Sequence, residues 1–301
     1  MGENTLESNA PGKPQEAFRR LTEFFGNTGG ALVAFSGGVD SSLVLAAARQ
    51  ALGARALAVT ACSPTYPDHE KDQAATIAQR LGARHEFIDS DEFEDPSYRA
   101  NPPNRCYYCK QELFRKLKAV AAREGLPVVV DGSNADDELD FRPGHKAAKE
   151  FGVRSPLAEL GFGKNLIRQI AKAQGLPNWN QPACACLASR IPYGQEITPL
   201  RLRRVAQAEA AIRDVGFRTV RVRDHGMLAR IEIPREEIDR ALGVGVQQRL
   251  IDACKLQGYV YVCLDLEGYR TGSMNEVLGS SGKTEILPGM IRSNPEPDRQ
   301  H

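Results

Sequence analysis

The chain has 301 residues, longer than the roughly 250 at which a single hydrophobic core stops growing, so two domains are expected. Its 42% hydrophobic and 26% charged residues are those of a globular protein that buries a core, which excludes disorder as a whole. The 39 Lys and Arg against 38 Asp and Glu leave a net charge of +1, so no global positive field exists to collect a nucleic-acid backbone, and no apolar run is long enough for a membrane span.

The opening residues MGENTLESNAPGKPQ lack the apolar stretch of a secretory signal, and a soluble cytoplasmic protein with frayed ends at 1–14 and 287–301 is expected. Short apolar runs then alternate with amphipathic stretches: strand 31–35 before helix 41–52, strand 56–61 before helix 68–81, and helix 110–123 before strand 128–130. This rhythm implies an α/β fold with a parallel sheet covered on both faces. Proline and glycine crowd residues 175–194, which places a domain junction and a functional loop there, between domains at 15–177 and 178–286. Thr198 and Pro199 cap a helix that Gly216 stops; strands at 219–223, 228–233 and 259–264 and a broken helix at 236–256 complete a smaller α+β domain.

The first strand runs into Ser36-Gly37-Gly38-Val39-Asp40-Ser41-Ser42 and then directly into a helix. Gly37 and Gly38 allow positive φ and close approach of an anion, the amides of the helix start point at a phosphate, and Ser36, Ser41 and Ser42 add hydroxyl donors. Asp40 either caps the helix or holds Mg²⁺ beside the phosphates. No Lys follows the glycines, so this is not a Walker loop; it resembles the PP-loop of the ATP pyrophosphatase superfamily, whose Rossmann-like, adenine nucleotide alpha hydrolase-like fold the resemblance implies. It also implies ATP cleavage to AMP and pyrophosphate, with the adenine ring against the backbone of Thr60 and Ala61. After the strand 128–130 come Asp131, Gly132, Ser133 and Asn134, with Asp136, Asp137, Asp140 and Arg142 beyond. Asp131 and Gly132 join the candidate ATP site and Asp137 is a candidate Mg²⁺ ligand; the alternative is a solvated acidic loop.

Seven cysteines in a reducing compartment are not a disulfide framework. Cys106 and Cys109 form a C-x-x-C pair, and Cys184 and Cys186 a C-x-C pair. Four thiols in two close pairs suit zinc or an iron-sulfur cluster; unrelated buried thiols are the alternative. Cys62, Cys254 and Cys263 are expected to pack in cores.

Asn178-Trp179-Asn180-Gln181-Pro182, Ser189-Arg190-Ile191-Pro192-Tyr193-Gly194, Thr219 to His225 and Asp140-Phe141-Arg142-Pro143-Gly144 together resemble the ATP-dependent sulfur transferases that build the nickel-pincer nucleotide cofactor of lactate racemase. The likeness runs from about residue 20 to 280. It implies a pyridinium dicarboxylate mononucleotide as substrate, adenylated on a ring carboxylate and converted to a thiocarboxylate. It also implies that Arg221 and Arg223, on one strand face, clamp the nucleotide phosphate with Ser189, and that Glu209 holds metal. In the well-known form of that family one loop cysteine surrenders its sulfur; aligning Ser189 and Arg190 puts Ala185 there, flanked by Cys184 and Cys186. Cys106 and Cys109 point instead to members with a [4Fe-4S] cluster on three cysteines, which makes Asp40, Cys109, Cys184 and Cys186 the candidate catalytic set. Sulfide or a sulfur-donor protein, and a homo-oligomer, are the implied partners. The rivals are a tRNA thiolase, which calls for a basic surface; an ammonia-using adenylating ligase, which needs no cysteine cluster; and a zinc-stapled nucleotide-binding module without turnover.

Overall fold

A computed structural model describes residues 13–66, 68–139, 144–181, 186–270 and 272–278. The elements of the first half are α1 (Lys13–Phe25), β1 (Ala31–Ala34), α2 (Val39–Leu52), β2 (Ala56–Cys62), α3 (Asp68–Arg80), β3 (Arg84–Asp89), α4 (Pro96–Arg99), α5 (Arg105–Arg123), β4 (Val128–Val130), α6 (Gly144–Glu150), α7 (Pro156–Glu159) and α8 (Lys164–Ala173). The second half adds α9 (Pro199–Asp214), β5 (Arg221–His225), β6 (Leu228–Glu232), α10 (Ile238–Ala241), α11 (Val246–Lys255) and β7 (Tyr261–Leu264).

Four parallel strands form the first sheet in the order β3-β2-β1-β4. Alternate residues of its central strands feed opposite cores, as a strand covered on both faces requires. Ala31, Val33, Ala56 and Ala58 pack under α1, α2, α3 and α8, with Phe25, Leu43, Ile77 and Ile167 filling the layer. Leu32, Leu57, Val59 and Val129 pack on the other face under α5 and α6, against Phe114, Leu117 and Val120. The expected α/β rhythm is present; beyond it the first half gains β3, a polar strand at the sheet edge, the amphipathic helices α1 and α8, and the short helices α4, α6 and α7.

The second sheet has three strands, β5-β6-β7, with β5 antiparallel and β7 parallel to β6. Its core gathers Ile212, Phe217, Val222, Ile231, Leu250 and Cys254. Cys254 is buried as expected, and burial pushes its thiol up to about 12. Cys263, also expected in a core, lies exposed on β7, because it shares with Tyr261 the face of that strand on which no core packs among the described residues. A separate apolar cluster of Tyr98, Leu187, Ala188, Ile191, Ile197, Leu202 and Val205 joins α4, the loop after Cys186 and α9. No described helix is long and apolar enough to cross a membrane.

Candidate active site

Phe35 extends the first strand by one bond, its amide donating to Val59 O at 2.9 Å, and the chain then turns through Ser36–Gly38 into α2. Gly37 has φ +71°, and a Cβ there would stand 3.0 Å from the Ala74 backbone of α3, so both conformation and space demand glycine. The Tyr66 hydroxyl donates to Ser36 O (2.7 Å), and Asn178 Nδ2 donates to Gly37 O (2.9 Å). In a trans peptide the N–H points opposite its C=O, so pinning these carbonyls aims the amides of Gly37 and Gly38 to the other side. Gly38 caps α2 in an extended conformation without a side-chain cap bond, which leaves the helix start as an anion-binding terminus.

The three serines divide. Ser36 is exposed, whereas Ser41 and Ser42 are buried. Ser41 Oγ donates to Gly38 O (3.1 Å) and accepts from the Ser36 amide (3.3 Å), and Ser42 Oγ accepts from Asn178 Nδ2 (3.0 Å). Ser41 and Ser42, expected as phosphate donors, therefore brace the loop from within. Thr60 is likewise internal: its hydroxyl donates to Phe35 O (2.7 Å) and bonds His85 Nε2 (2.8 Å), tying the end of β2 to β1, while Ala61 follows half-buried.

At the end of β4, Gly132 passes so close to α2 that a Cβ would meet the Ser41 amide at 2.9 Å. Asp131 holds that approach. Buried, it accepts from the hydroxyls of Ser155 (2.7 Å) and Ser133 (2.8 Å) and the Ser133 amide (3.1 Å), so its carboxylate serves the loop and is not presented to a nucleotide. Asn134 Nδ2 then reaches across to Asp40 Oδ2 at 2.9 Å. The Asp40 carboxyl is pushed above the usual carboxylate range, chiefly by burial and further by Asp137, against the pull of Asn134, Lys164 and Arg168. Asp137 is buried, accepts from the Asn134 amide (3.2 Å) and lies 3.7 Å from Lys164 Nζ. Asp136 accepts from the Lys164 amide (2.8 Å) at the start of α8, which brings that helix's cations to this acidic pair. Lys164 and Arg168 join the site from the polar face of α8, an amphipathic helix whose pattern is their one signal in the sequence. Asp140 and Arg142 lie outside the described residues.

The cysteines occupy a second centre. α5 starts at Arg105, five residues before the expected helix, so Cys106 and Cys109 fall three apart on its first turns and share a face. Cys186 enters from the loop before Leu187, whose amide donates to Thr65 O (3.3 Å). Cys109 and Cys186 lie in each other's field and in that of Cys106, and both thiols are raised. For Cys109 burial is the main cause, then repulsion by Cys186 and Glu92; for Cys186, an exposed residue as a whole, burial of the thiol again leads, opposed by Arg105 and the Ala188 backbone. Three soft donors beside a buried Arg match the chemistry of a thiolate-ligated group. Among the described residues, however, no three His, Cys, Asp or Glu side chains close into a metal-binding group. Cys184 and Ala185 lie outside the described residues.

Asn101 binds the two cysteine segments together. It is the one described non-glycine residue with positive φ (+53°), and its amide donates to Ile191 O (3.1 Å) and Pro192 O (2.8 Å) while accepting from Arg105 (3.0 Å). The loop after β2 joins this centre to the phosphate loop with adjacent residues: the Thr65 carbonyl accepts from the Leu187 amide, next to Cys186, and the Tyr66 hydroxyl donates to the Ser36 carbonyl.

The residues expected to hold substrate phosphate and metal are tightly engaged. Glu209 is 1% exposed and accepts from Arg190 (2.8 and 3.2 Å), Arg213 (3.1 Å) and the Val222 amide (3.0 Å). Its carboxyl is held low although burial is the largest influence and opposes this, because Arg190 and Arg221 outweigh it. With its lone pairs occupied by protein donors, Glu209 is a structural anchor and not an open metal ligand. Arg223 donates to Glu232 (2.9 and 2.7 Å), Ser273 (2.8 Å) and Ser189 O (2.7 Å), which leaves little of its fork for a phosphate. Arg221 shares that strand face, bonds Val220 O (2.9 Å) and lies 5.4 Å from the Tyr269 ring centroid. Ser189, half-buried, accepts from Arg190 at 2.8 Å.

Comparison with known proteins finds relatives along most of the chain. Residues 30–105, which span the phosphate loop and β1 to β3, match the asparagine synthase family. An uncharacterised protein of Synechocystis sp. is 47% identical over 264 residues, 88% of this chain and 98% of its own length. The pyridinium-3,5-bisthiocarboxylic acid mononucleotide synthase of Lactiplantibacillus plantarum is 41% identical over 247 residues, 82% of this chain and 89% of its own. The argininosuccinate synthase of Pyrococcus furiosus is 29% identical over 161 residues, 48% of this chain and 39% of its own. With a parallel-sheet ATP-binding unit at one end and near full-length similarity to the L. plantarum enzyme, the chain belongs to the family of ATP-dependent sulfurtransferases that includes the pyridinium-3,5-bisthiocarboxylic acid mononucleotide synthases.

Proposed function

We propose that the protein adenylates a ring carboxylate of a pyridinium dicarboxylate mononucleotide and replaces AMP with sulfur to give a thiocarboxylate. The supporting observation is the 63–66 loop, whose neighbouring residues Thr65 and Tyr66 bond the Leu187 amide beside Cys186 and the Ser36 carbonyl of the phosphate loop respectively. Activation and sulfur delivery thus have a common wall.

The phosphates of ATP lie against the amides following Ser36, with the Ser36 hydroxyl and Lys164 alongside. Asp40 and Asp137 would hold Mg²⁺, whose charge would favour the ionised Asp40 that burial, and then Asp137, disfavour. The substrate carboxylate attacks the α-phosphorus and pyrophosphate leaves. A sulfur nucleophile then bonds to the acyl carbon, and the C–O bond to AMP breaks with its electron pair on AMP. Three of Cys106, Cys109, Cys184 and Cys186 would hold a [4Fe-4S] cluster, which when bound supplies an iron free of thiolate for an added sulfide. Arg105 faces those thiols and offsets their charge. Arg221 and Ser189 remain the candidates for the nucleotide phosphate, in a soluble, cytoplasmic homo-oligomer.

Pyrophosphate release is expected with ATP, Mg²⁺ and the pyridinium dicarboxylate mononucleotide; release equally stimulated by ammonium without sulfur, or none with any carboxylate, would overturn the reading. An anaerobic spectrum with iron, zinc and sulfide analysis tests the cluster. Broad visible absorption lost in Cys106→Ala supports it, and stoichiometric zinc without sulfide replaces it with a structural staple.

A further inference from the structure

Three buried arginines of this protein can be compared edge by edge. Arg190 holds Glu209 through Nε (2.8 Å) and Nη2 (3.2 Å), and Arg223 holds Glu232 through Nε (2.9 Å) and Nη2 (2.7 Å). Each fork is closed on a carboxylate, the arrangement that makes a buried guanidinium tolerable. Arg105 is 6% exposed, against 2% for Arg190 and 5% for Arg223, yet its fork is open. Among the described residues its one side-chain hydrogen bond runs from Nη1 to Asn101 Oδ1 (3.0 Å), which is a neutral acceptor. The Nε and Nη2 edge, which the other two give to a carboxylate, holds nothing. A buried charge without a countercharge is costly, so an anion that reaches this edge repays a cost the unligated fold carries.

The surroundings fix the plane of that guanidinium. Its face lies over the Tyr193 ring, 5.0 Å from the centroid, and stacking of this kind covers the face while leaving the edge to a planar partner. Asn101 takes the remaining nitrogen and is itself fastened to Ile191 O (3.1 Å) and Pro192 O (2.8 Å). Tyr193 is tied in turn to Asn275 through its hydroxyl (2.9 Å). Arg105 also opens α5, whose Asn104 makes no side-chain cap bond, so the first-turn amides add to the positive field. The same loop leads from Tyr193 back to Ser189, whose carbonyl accepts from Arg223 (2.7 Å). Four residues span at most about 14 Å, so a mononucleotide with its phosphate at the Ser189 and Arg221 end brings its ring within reach of Arg105.

We propose that the Nε and Nη2 edge of Arg105 binds a ring carboxylate of the substrate, the one that is not being adenylated. The fork makes the enzyme selective for a dicarboxylate over pyridinium nucleotides that lack the charge. This rests on the substrate reading given above.

Arg105→Gln removes the charge and the fork and keeps an N–H donor for Asn101. Calorimetry on chelator-treated protein without ATP compares the pyridinium dicarboxylate mononucleotide with a pyridinium carboxamide mononucleotide, which has the same phosphate and ring but a neutral amide. Wild-type protein is expected to favour the dicarboxylate; Arg105→Gln should weaken it roughly 10- to 100-fold, the weight of hydrogen bonds to a charged group, and shift the carboxamide by less than about threefold. The unligated variant is expected to melt at or slightly above the wild-type temperature, because an uncompensated buried charge is gone. Unchanged dicarboxylate binding, equal weakening of both ligands, or an unligated variant that melts several degrees lower would overturn the proposal. Pyrophosphate release by wild-type protein with ATP and the dicarboxylate is measured alongside: its absence removes the adenylation reading, whereas normal release with unchanged dicarboxylate binding in the variant removes only the role of Arg105.

Discussion

Asp40 sits half-buried on the first turn of α2 with Asn134 bonded to one oxygen and Asp137 near enough to repel it. A carboxyl whose folded-state pKa is raised binds its proton more tightly in the folded protein, so its ionisation at neutral pH weakens the fold. Asp40→Asn keeps an acceptor for Asn134 and removes the charge. It is expected to raise the stability of unligated protein at pH 7 by up to about 1 kcal/mol while lowering pyrophosphate release at least about 100-fold. The stability gain should shrink as pH falls toward the Asp40 pKa, since the wild-type carboxyl then protonates too. Thermal unfolding at several pH values measures both the sign and the window. A gain that grew on acidification would contradict the raised pKa.

At the scale of elements, the phosphate loop depends on the contact between α2 and α3 as much as on its own motif. Gly37→Ala must adopt left-handed backbone with its methyl 3.0 Å from Ala74, so the loop has to move. Calorimetry should show MgATP binding weakened at least about tenfold, the cost of roughly 1–3 kcal/mol that such strain carries. Glu209 joins the segment Leu187–Arg190, α9 and β5 through Arg190, Arg213 and the Val222 amide. Glu209→Gln leaves Arg190 buried without its countercharge and is expected to cost about 3–5 kcal/mol in a denaturant titration, with the Mg²⁺ dependence of the remaining activity unchanged. A shifted Mg²⁺ dependence at normal stability would restore the metal-ligand role that the sequence resemblance implied.

Over the whole molecule, the cluster around Tyr98 and Leu202 couples the helix of the C-x-x-C pair to α9 and so to the second sheet. Leu202 is fully buried there. Leu202→Ala should destabilise the protein by about 2–5 kcal/mol. At a temperature where the variant stays folded, sulfur transfer should fall more than pyrophosphate release, because the phosphate loop rests on a different core. Equal loss of both half-reactions would show that the two centres do not depend separately on this junction.

The phosphate loop, the α/β rhythm and the paired cysteines were legible in the chain itself, because each is local: a glycine pair after an apolar run, a period of hydrophobicity, a spacing of three. The likeness to the sulfurtransferases came from motifs of the same kind. Only the tertiary structure decided which polar groups face inward. Ser42, Asp131 and Glu209 are the right residue types for ligand contacts, yet each is occupied by a protein partner distant in sequence. The edge strand β3 and the helices α1 and α8 were missed because their polar residues outnumber the few apolar positions that touch the core. Asn101 and Tyr98 carried no local signal at all. Their importance lies in a loop some 90 residues away that folding brings against them, and hydrogen-bond satisfaction in a buried place is a property of the assembled neighbourhood rather than of any segment.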